Sequence, residues 1–223
     1  SFGERMSSKI VAEQLKKSGM KAQAFNSWDL GFLTDSEFGD AEPLEVSYKN
    51  LSNNIKKLGI VPVITGFIGK TENGEITTLG RGGSDYTAAI IGAAIGAGEI
   101  QIWTDVNGIM TTDPKIVANA RRIDRISFAE AAELAYFGAK VLHPKTILPA
   151  MNRRIPVKVL NSFEPKQKGT TILKKAPKNS RVVEAIACKK KITLVHVDST
   201  RMLDAYGFMA RLFDVLDEYK KNI

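Results

Sequence analysis

The stretch Leu79-Gly80-Arg81-Gly82-Gly83-Ser84-Asp85-Tyr86-Thr87-Ala88-Ala89 leads from a glycine-rich turn into Asp85 to Ala97, a run of Ala, Ile and Gly with almost no charge. A helix so evenly apolar is expected to be packed on both sides. Glu99 to Trp103 returns as a strand, and upstream Ile60 to Ile64 reads as a buried strand whose Pro62 marks its beginning or an edge. Strand, turn, buried helix and strand in succession argue for a layered α/β domain.

The alternation continues outward. Residues 4–18 carry Met6, Ile10, Val11 and Leu15 at helical spacing and stop at Ser18-Gly19. Lys21 to Phe25 predicts a short strand, and Leu44 to Leu58 a helix with Leu44, Tyr48, Leu51, Ile55 and Leu58 on one face. Asn73-Gly74 between two β-prone stretches predicts a hairpin near 67–78. Helices near 127–137 and 144–153 and strands near 156–160 and 170–173 complete a three-layer domain, residues 1–173, with a largely parallel sheet. Residues 174–190 then form a basic linker and connecting strand. Strands over 182–188 and 192–197, and a helix from Gly207 to Tyr219 with Phe208, Leu212, Val215 and Leu216 inward, predict a separate small α+β unit opening at 191–223.

Composition narrows the functional classes. At 223 residues and 43% hydrophobic the chain can bury a sizeable core. No run approaches the ~20 apolar residues of a membrane helix. The single cysteine, Cys188, has no intrachain partner; a half-buried structural thiol in a reducing cytoplasm is expected. The formal charge of +8 suits a nucleotide or a nucleic acid. Much of the excess lies between Lys174 and Lys191, where no aromatic residue interleaves the charges, so a solvated linker and no nucleic-acid partner are expected. The chain opens at Ser1 without an initiator Met and stops at Ile223 just after a helix, so missing sequence is expected at both ends.

Three stretches could carry chemistry. Successive glycines at 80, 82 and 83 let backbone N–H groups approach an anion, and Ser84 with Asp85 stands where a helix N-cap belongs. Arg81 adds a guanidinium suited to a carboxylate or phosphate. A tight turn before a capped helix would account for the glycines alone. The loop from Trp103 through Thr104, Asp105, Asn107-Gly108, Met110 and Asp113-Pro114 to Lys115 leaves a strand as a ligand site would, although plain turn chemistry also produces Asn-Gly and Asp-Pro. In Phe137 to Pro144, Lys140 either complements a helix C-terminus or contacts a phosphate. His143 has no second His or Cys at metal-ligand spacing, so no protein metal site is expected. The P-loop and dinucleotide fingerprints are both absent.

Together SFGER at the start, TTLGRGGSDYTAA, the WTDV…GI…TTDP loop and AAELAYFGAKVLHPKT resemble the aspartate kinase family in order and spacing, over nearly the whole chain. The resemblance implies the α/β/α amino-acid kinase fold, here N-terminally incomplete, with ATP along the carboxyl edge of the sheet and L-aspartate beside it. It implies that Glu4 binds the substrate amino group, that Arg81 with Gly82, Gly83 and Ser84 binds its carboxylate, and that Asp85 organises the catalytic groups. The ATP side would be Thr104, Asp105, Met110, Lys115, Lys140 and Val141, with Mg2+ neutralising phosphate charge. Position 110 is often Tyr and 115 often Arg in the family, so a hydroxyl and a bidentate fork are lost here. The family's N-terminal KFGG segment does not occur, so the chain alone is expected to be impaired. Residues 193–213 resemble the start of an ACT domain. There Met202, Ala205, Gly207, Phe208 and Met209 would face a lysine or threonine effector, and such domains would build a homo-oligomer. A kinase of another carboxylate and a non-catalytic regulatory fragment are the rival readings.

Overall fold

A computed structural model describes residues 2–137, 142–176, 183–188, 193, 196–197 and 206–219. Contacts divide the chain into two units, Ser1–Lys189 and Lys190–Ile223.

The first unit opens with helix α1 (Phe2–Lys17), strand β1 (Ala22–Phe25), a 3-10 turn (Ser27–Leu30), helix α2 (Glu45–Ile55) and strand β2 (Val61–Ile64). The two strands pair in parallel from Ala22 opposite Val61 to Phe25 opposite Ile64, with α1 packed across them. Small Ser8 and Ala12 are the buried residues of α1, which permits a close approach, while Met6 and Ile10 on the opposite side stay exposed. Strands β3 (Ile68–Lys70) and β4 (Ile76–Thr78) form the expected antiparallel hairpin, with Gly74 at φ 91.

Helix α3 (Gly83–Ile95) separates two cores, as its composition requires. Ala89 and Ala93 face Ile100, Ile102, Val157, Val159 and Ile172. Tyr86 and Ile90 face Leu30, Phe32, Leu51 and Leu79. Full burial of a side chain such as Ile90, at 0% exposure, contributes about 1.5–3 kcal/mol. A Cβ at Gly92 would lie 2.5 Å from Ile100 Cδ1, so the glycine lets α3 settle onto the strand below.

That strand, β5 (Ile100–Thr104), belongs to a sheet with β6 (Arg125–Ser127), β7 (Val157–Asn161) and β8 (Thr170–Leu173), in the order β5-β7-β8-β6. Among the described residues the expected, largely parallel sheet is thus three sheets of two, two and four strands. β5 is parallel to β7 and β6 to β8, but β7 and β8 are antiparallel. Their short connection, 162–169, can only reverse the chain. The three-residue β6 is too short to show a period; it runs straight into helix α4 (Phe128–Tyr136), where Ser127 and Glu130 form a capping box. Helix α5 (Pro144–Arg153) starts with proline in its first turn and packs on α3 and α4.

Residues 183–188 are not the expected strand. Ile186 N–H donates to Thr111 O at 2.8 Å, and one such bond does not make a ladder. Cys188 is exposed rather than half-buried. Half of the strand expected over 192–197 falls outside the described residues. In the second unit α6 (Phe208–Glu218) begins at Gly207, φ 76, with Phe208, Leu212 and Leu216 its least exposed residues. Val215, expected inward, is 51% exposed. No helix among the described residues is long and apolar enough to cross a membrane.

Candidate active site

A helix that precedes a strand in a layered α/β unit runs opposite to it, so the start of α3 lies near the carboxyl end of β5. The expected N-cap is displaced by two to three residues. Gly82, at φ 72, is the cap, and Ser84 and Asp85 stand within the first turn because the left-handed glycine completes the reversal before them. No side chain caps this helix. Gly83 N–H donates to Gly80 O at 3.2 Å and Tyr86 N–H to Gly82 O at 3.0 Å. The amides of Ser84 and Asp85 have no acceptor among the described residues, an arrangement that favours an anion at the positive end of the helix.

Arg81 and Ser84 are exposed beside this turn, and Gly83 is buried beneath it. Arg81 and Glu4 each lack a hydrogen bond or ion pair among the described residues, so both charges are available to a ligand. Asp85 is half-buried, with Leu142, Thr146 and Ile147 lining the same crevice, and burial pushes its carboxyl pKa up. Glu4 stands in the first turn of α1, which packs on β1 and β2.

This Thr65–Phe67 loop is a part of the site that the sequence did not mark. Phe67 holds φ 66, a left-handed conformation that costs a non-glycine residue about 1–2 kcal/mol. Its N–H donates to Thr87 Oγ1 at 3.0 Å, the Thr87 hydroxyl donates to Gly83 O at 2.8 Å, and Leu79 N–H donates to Phe67 O at 2.9 Å. Ser27 N–H donates to buried Thr65 Oγ1 at 2.9 Å. A Cβ at Gly66 would lie 3.1 Å from Ser84 Cα, which shows how closely the loop presses on the helix start. Glycine before an aromatic residue was the one available hint.

Of the expected nucleotide residues, Thr104 and Asp105 stand at the carboxyl end of β5, where Thr104 Oγ1 donates to Asp105 Oδ1 at 3.1 Å. Beside them Ser162, just past β7, donates from N and Oγ to Thr104 O at 2.8 and 2.9 Å, and Asn161 Nδ2 donates to Asn107 Oδ1 at 2.7 Å. The loop beyond is closed by a bridge between Met110 and Arg122, and Lys115 is exposed at its tip. Lys140, Val141, Met202 and Ala205 lie outside the described residues. Gly207, Phe208 and Met209 belong to the second unit, at the start of α6. A groove of about 400 Å3 between α4 and residues 183–187 holds none of the expected site residues.

A glycine turn with a free arginine at an uncapped helix, next to a polar loop at the strand ends, suits two anionic ligands side by side. The sequence profile described as the amino acid kinase family matches residues 1–161, and the chain belongs to that family. Among its relatives, aspartokinase 2, chloroplastic, of Arabidopsis thaliana is 44% identical over 223 residues, which covers 98% of this chain and 41% of that protein. The crystal structure of E. coli aspartokinase III in complex with aspartate and ADP (R-state) superposes with a TM-score of 0.79 at 39% identity, covering 99% of this chain and 50% of that one. The same enzyme in complex with lysine and aspartate (T-state) gives 0.73 at 38% identity, covering 97% and 49%. These relatives bear out the resemblance to aspartate kinases read from the motifs, and the fold is the amino-acid kinase fold. The chain spans about two fifths to one half of the length of these relatives.

Proposed function

We propose that this chain is the aspartate- and nucleotide-binding part of an aspartate kinase, in which the side-chain carboxylate of L-aspartate attacks the γ-phosphorus of ATP to give 4-phospho-L-aspartate and ADP. The observation that carries the proposal is the unpaired Arg81 on the Gly80–Gly83 turn, at a helix start whose Ser84 and Asp85 amides lack acceptors. Arg81 and these amides would hold the α-carboxylate of aspartate, and the unpaired Glu4 carboxylate would take its ammonium group. The γ-phosphate would approach from the side of Thr104, Asp105, Met110 and Lys115, with Lys140 and Val141 completing that side. Catalysis of this kind depends on alignment and charge neutralisation more than on covalent work.

Among the described residues no three His, Cys, Asp or Glu side chains gather as a metal site. Mg2+ is usually held by phosphate oxygens and one or two carboxylates; Asp85 would be such a carboxylate. Bound there, the ion would offset phosphate charge. The raised pKa of Asp85 reflects a desolvated carboxylate that a cation would favour as the anion. The second unit fits the opening of an ACT module that would take an amino-acid effector, lysine or threonine, near Met202–Met209 and would pair with another copy to build a homo-oligomer.

The test is an ATP-dependent assay, run on the full-length protein, in which hydroxylamine traps the acyl phosphate. An aspartate-dependent hydroxamate, lost in Arg81→Ala, supports the proposal. Hydroxamate formed with other small carboxylates but not with aspartate refutes the substrate, and a folded protein that binds neither aspartate nor ATP refutes the activity.

A further inference from the structure

A bracket of charged side chains closes around the outside of the Gly80–Gly82 turn. Lys145, in the first turn of α5, places Nζ 2.8 Å from Asp40 Oδ1 and 2.8 Å from Glu42 Oε1. The same ammonium lies 5.5 Å from the centre of the Tyr86 ring, and Tyr86 OH donates to Glu42 Oε2 at 2.6 Å. Burial opposes the charge on Lys145, but the hydrogen bonds to Asp40 and Glu42 outweigh it and raise its pKa. One ammonium thus ties together three elements: the loop that holds Asp40 and Glu42, helix α3 through Tyr86, and the start of α5.

The turn passes between the arms of this bracket. A Cβ on Gly80 would lie 2.5 Å from Asp40 Oδ1, and one on Gly82 would lie 2.8 Å from Cγ2 of Thr146, the neighbour of Lys145. The loop side is anchored in turn, since Ala41 N–H donates to Thr78 O at 2.9 Å and Thr78 Oγ1 donates to Phe38 O at 2.9 Å. Gly80 and Gly82 both sit in the left-handed region, φ 73 and 72, and glycine has many other conformations open to it. The shape of the turn is therefore set by what surrounds it. Isolated surface ion pairs do little, but Lys145 is only 20% exposed and has two carboxylates and a ring as partners.

We propose that Lys145 is a positioning residue: by tying the Asp40–Glu42 loop to the start of α5, it keeps the Gly80-Arg81-Gly82 turn in the shape that presents Arg81 to an acidic amino-acid substrate. The substrate half of this inference rests on the function proposed above, whereas the bracket does not.

Two variants test it, Lys145→Met, which keeps the length and removes the charge, and Lys145→Arg, which keeps the charge. In the full protein Lys145→Met should raise the KM for aspartate roughly five- to tenfold, the loss of a partly buried charge contact, and leave kcat and the KM for ATP within about twofold. Lys145→Arg should recover most of the loss. Independently of any substrate, hydrogen exchange at the Gly83 and Tyr86 amides should quicken about tenfold in Lys145→Met while β7 amides stay as in the wild type. Asp40→Asn should give the same signature more weakly, and it replaces Lys145→Met if that variant does not fold. Unchanged exchange at Gly83 and Tyr86 in a folded variant overturns the bracket. A fall in kcat with unchanged KM, or equal losses for aspartate and ATP, overturns the positioning role. Faster exchange in a protein that never uses aspartate supports the bracket and counts only against the proposed function.

Discussion

Replacing Thr87 by Val separates the hydrogen bonds at the site from its packing. The two side chains have nearly the same shape, and Thr87 is 2% exposed, so no cavity opens. What disappears is the acceptor for Phe67 N–H at 3.0 Å and the donor to Gly83 O at 2.8 Å. Leaving a partly buried N–H without an acceptor costs about 1–3 kcal/mol, while losing the second bond, whose carbonyl keeps an intrahelical donor, adds about 0.5 kcal/mol. A total of about 1.5–3.5 kcal/mol corresponds to a fall in Tm of about 3–14 °C for a unit of this size. Differential scanning calorimetry at neutral pH measures it, with Thr87→Ser, which keeps both bonds and loses one methyl, as the control at about 1 kcal/mol. The left-handed Phe67 should then relax, and aspartate affinity should fall with stability. A Tm for Thr87→Val within about 1 °C of the wild type would refute the reasoning, because it would mean that the 3.0 Å bond holds nothing in place.

Other outcomes follow from the same geometry. Arg81→Lys keeps the charge but loses the planar fork, and the KM for aspartate in steady-state kinetics should rise about 10–100-fold. Burial raises the Asp85 pKa, so its contribution to stability is fully present below the ordinary carboxylate range and is lost as pH rises through the raised value. Asp85→Asn should therefore melt above the wild type at about pH 7, with the gap closing toward about pH 3, and phosphoryl transfer should be abolished. Gly82→Ala places a Cβ on a φ of 72 and 2.8 Å from Thr146 Cγ2; thermal unfolding should show a loss of about 1–2 kcal/mol and calorimetric titration weaker aspartate binding.

Elements with a strong period or a punctuating pair were legible in the sequence. The charge-free run after Asp85 could only be a helix with two apolar neighbours, and Asn73-Gly74 could hardly be anything but a hairpin turn. The glycine turn around Arg81 was legible as the start of a helix, and Arg81 stands exposed on it. Three things were not. Arg125–Ser127 is too short to show alternation, and it is a strand only because β8 lies beside it. Residues 183–188 alternate like a strand yet join no strand ladder among the described residues. Phe67 and the Asp40–Glu42 loop depend on contacts with residues 20 to 105 positions away, which no local pattern encodes. The N-cap was misplaced because side-chain chemistry favours Ser84, whereas the left-handed freedom of Gly82 decides.

Helix α3 is a party wall. One face closes the β5-β7-β8-β6 side and the other closes the side of Phe32 and Leu51, and its first turn is the stretch an anion would grip. Neither room can be dismantled while the other stands, so damage on one side is felt on both. The same wall makes occupancy audible at a distance: a molecule seated on the Gly80–Ser84 turn steadies apolar residues that it never touches. Resistance to a nonspecific protease, read at sites far from the turn, should report whether that seat is filled.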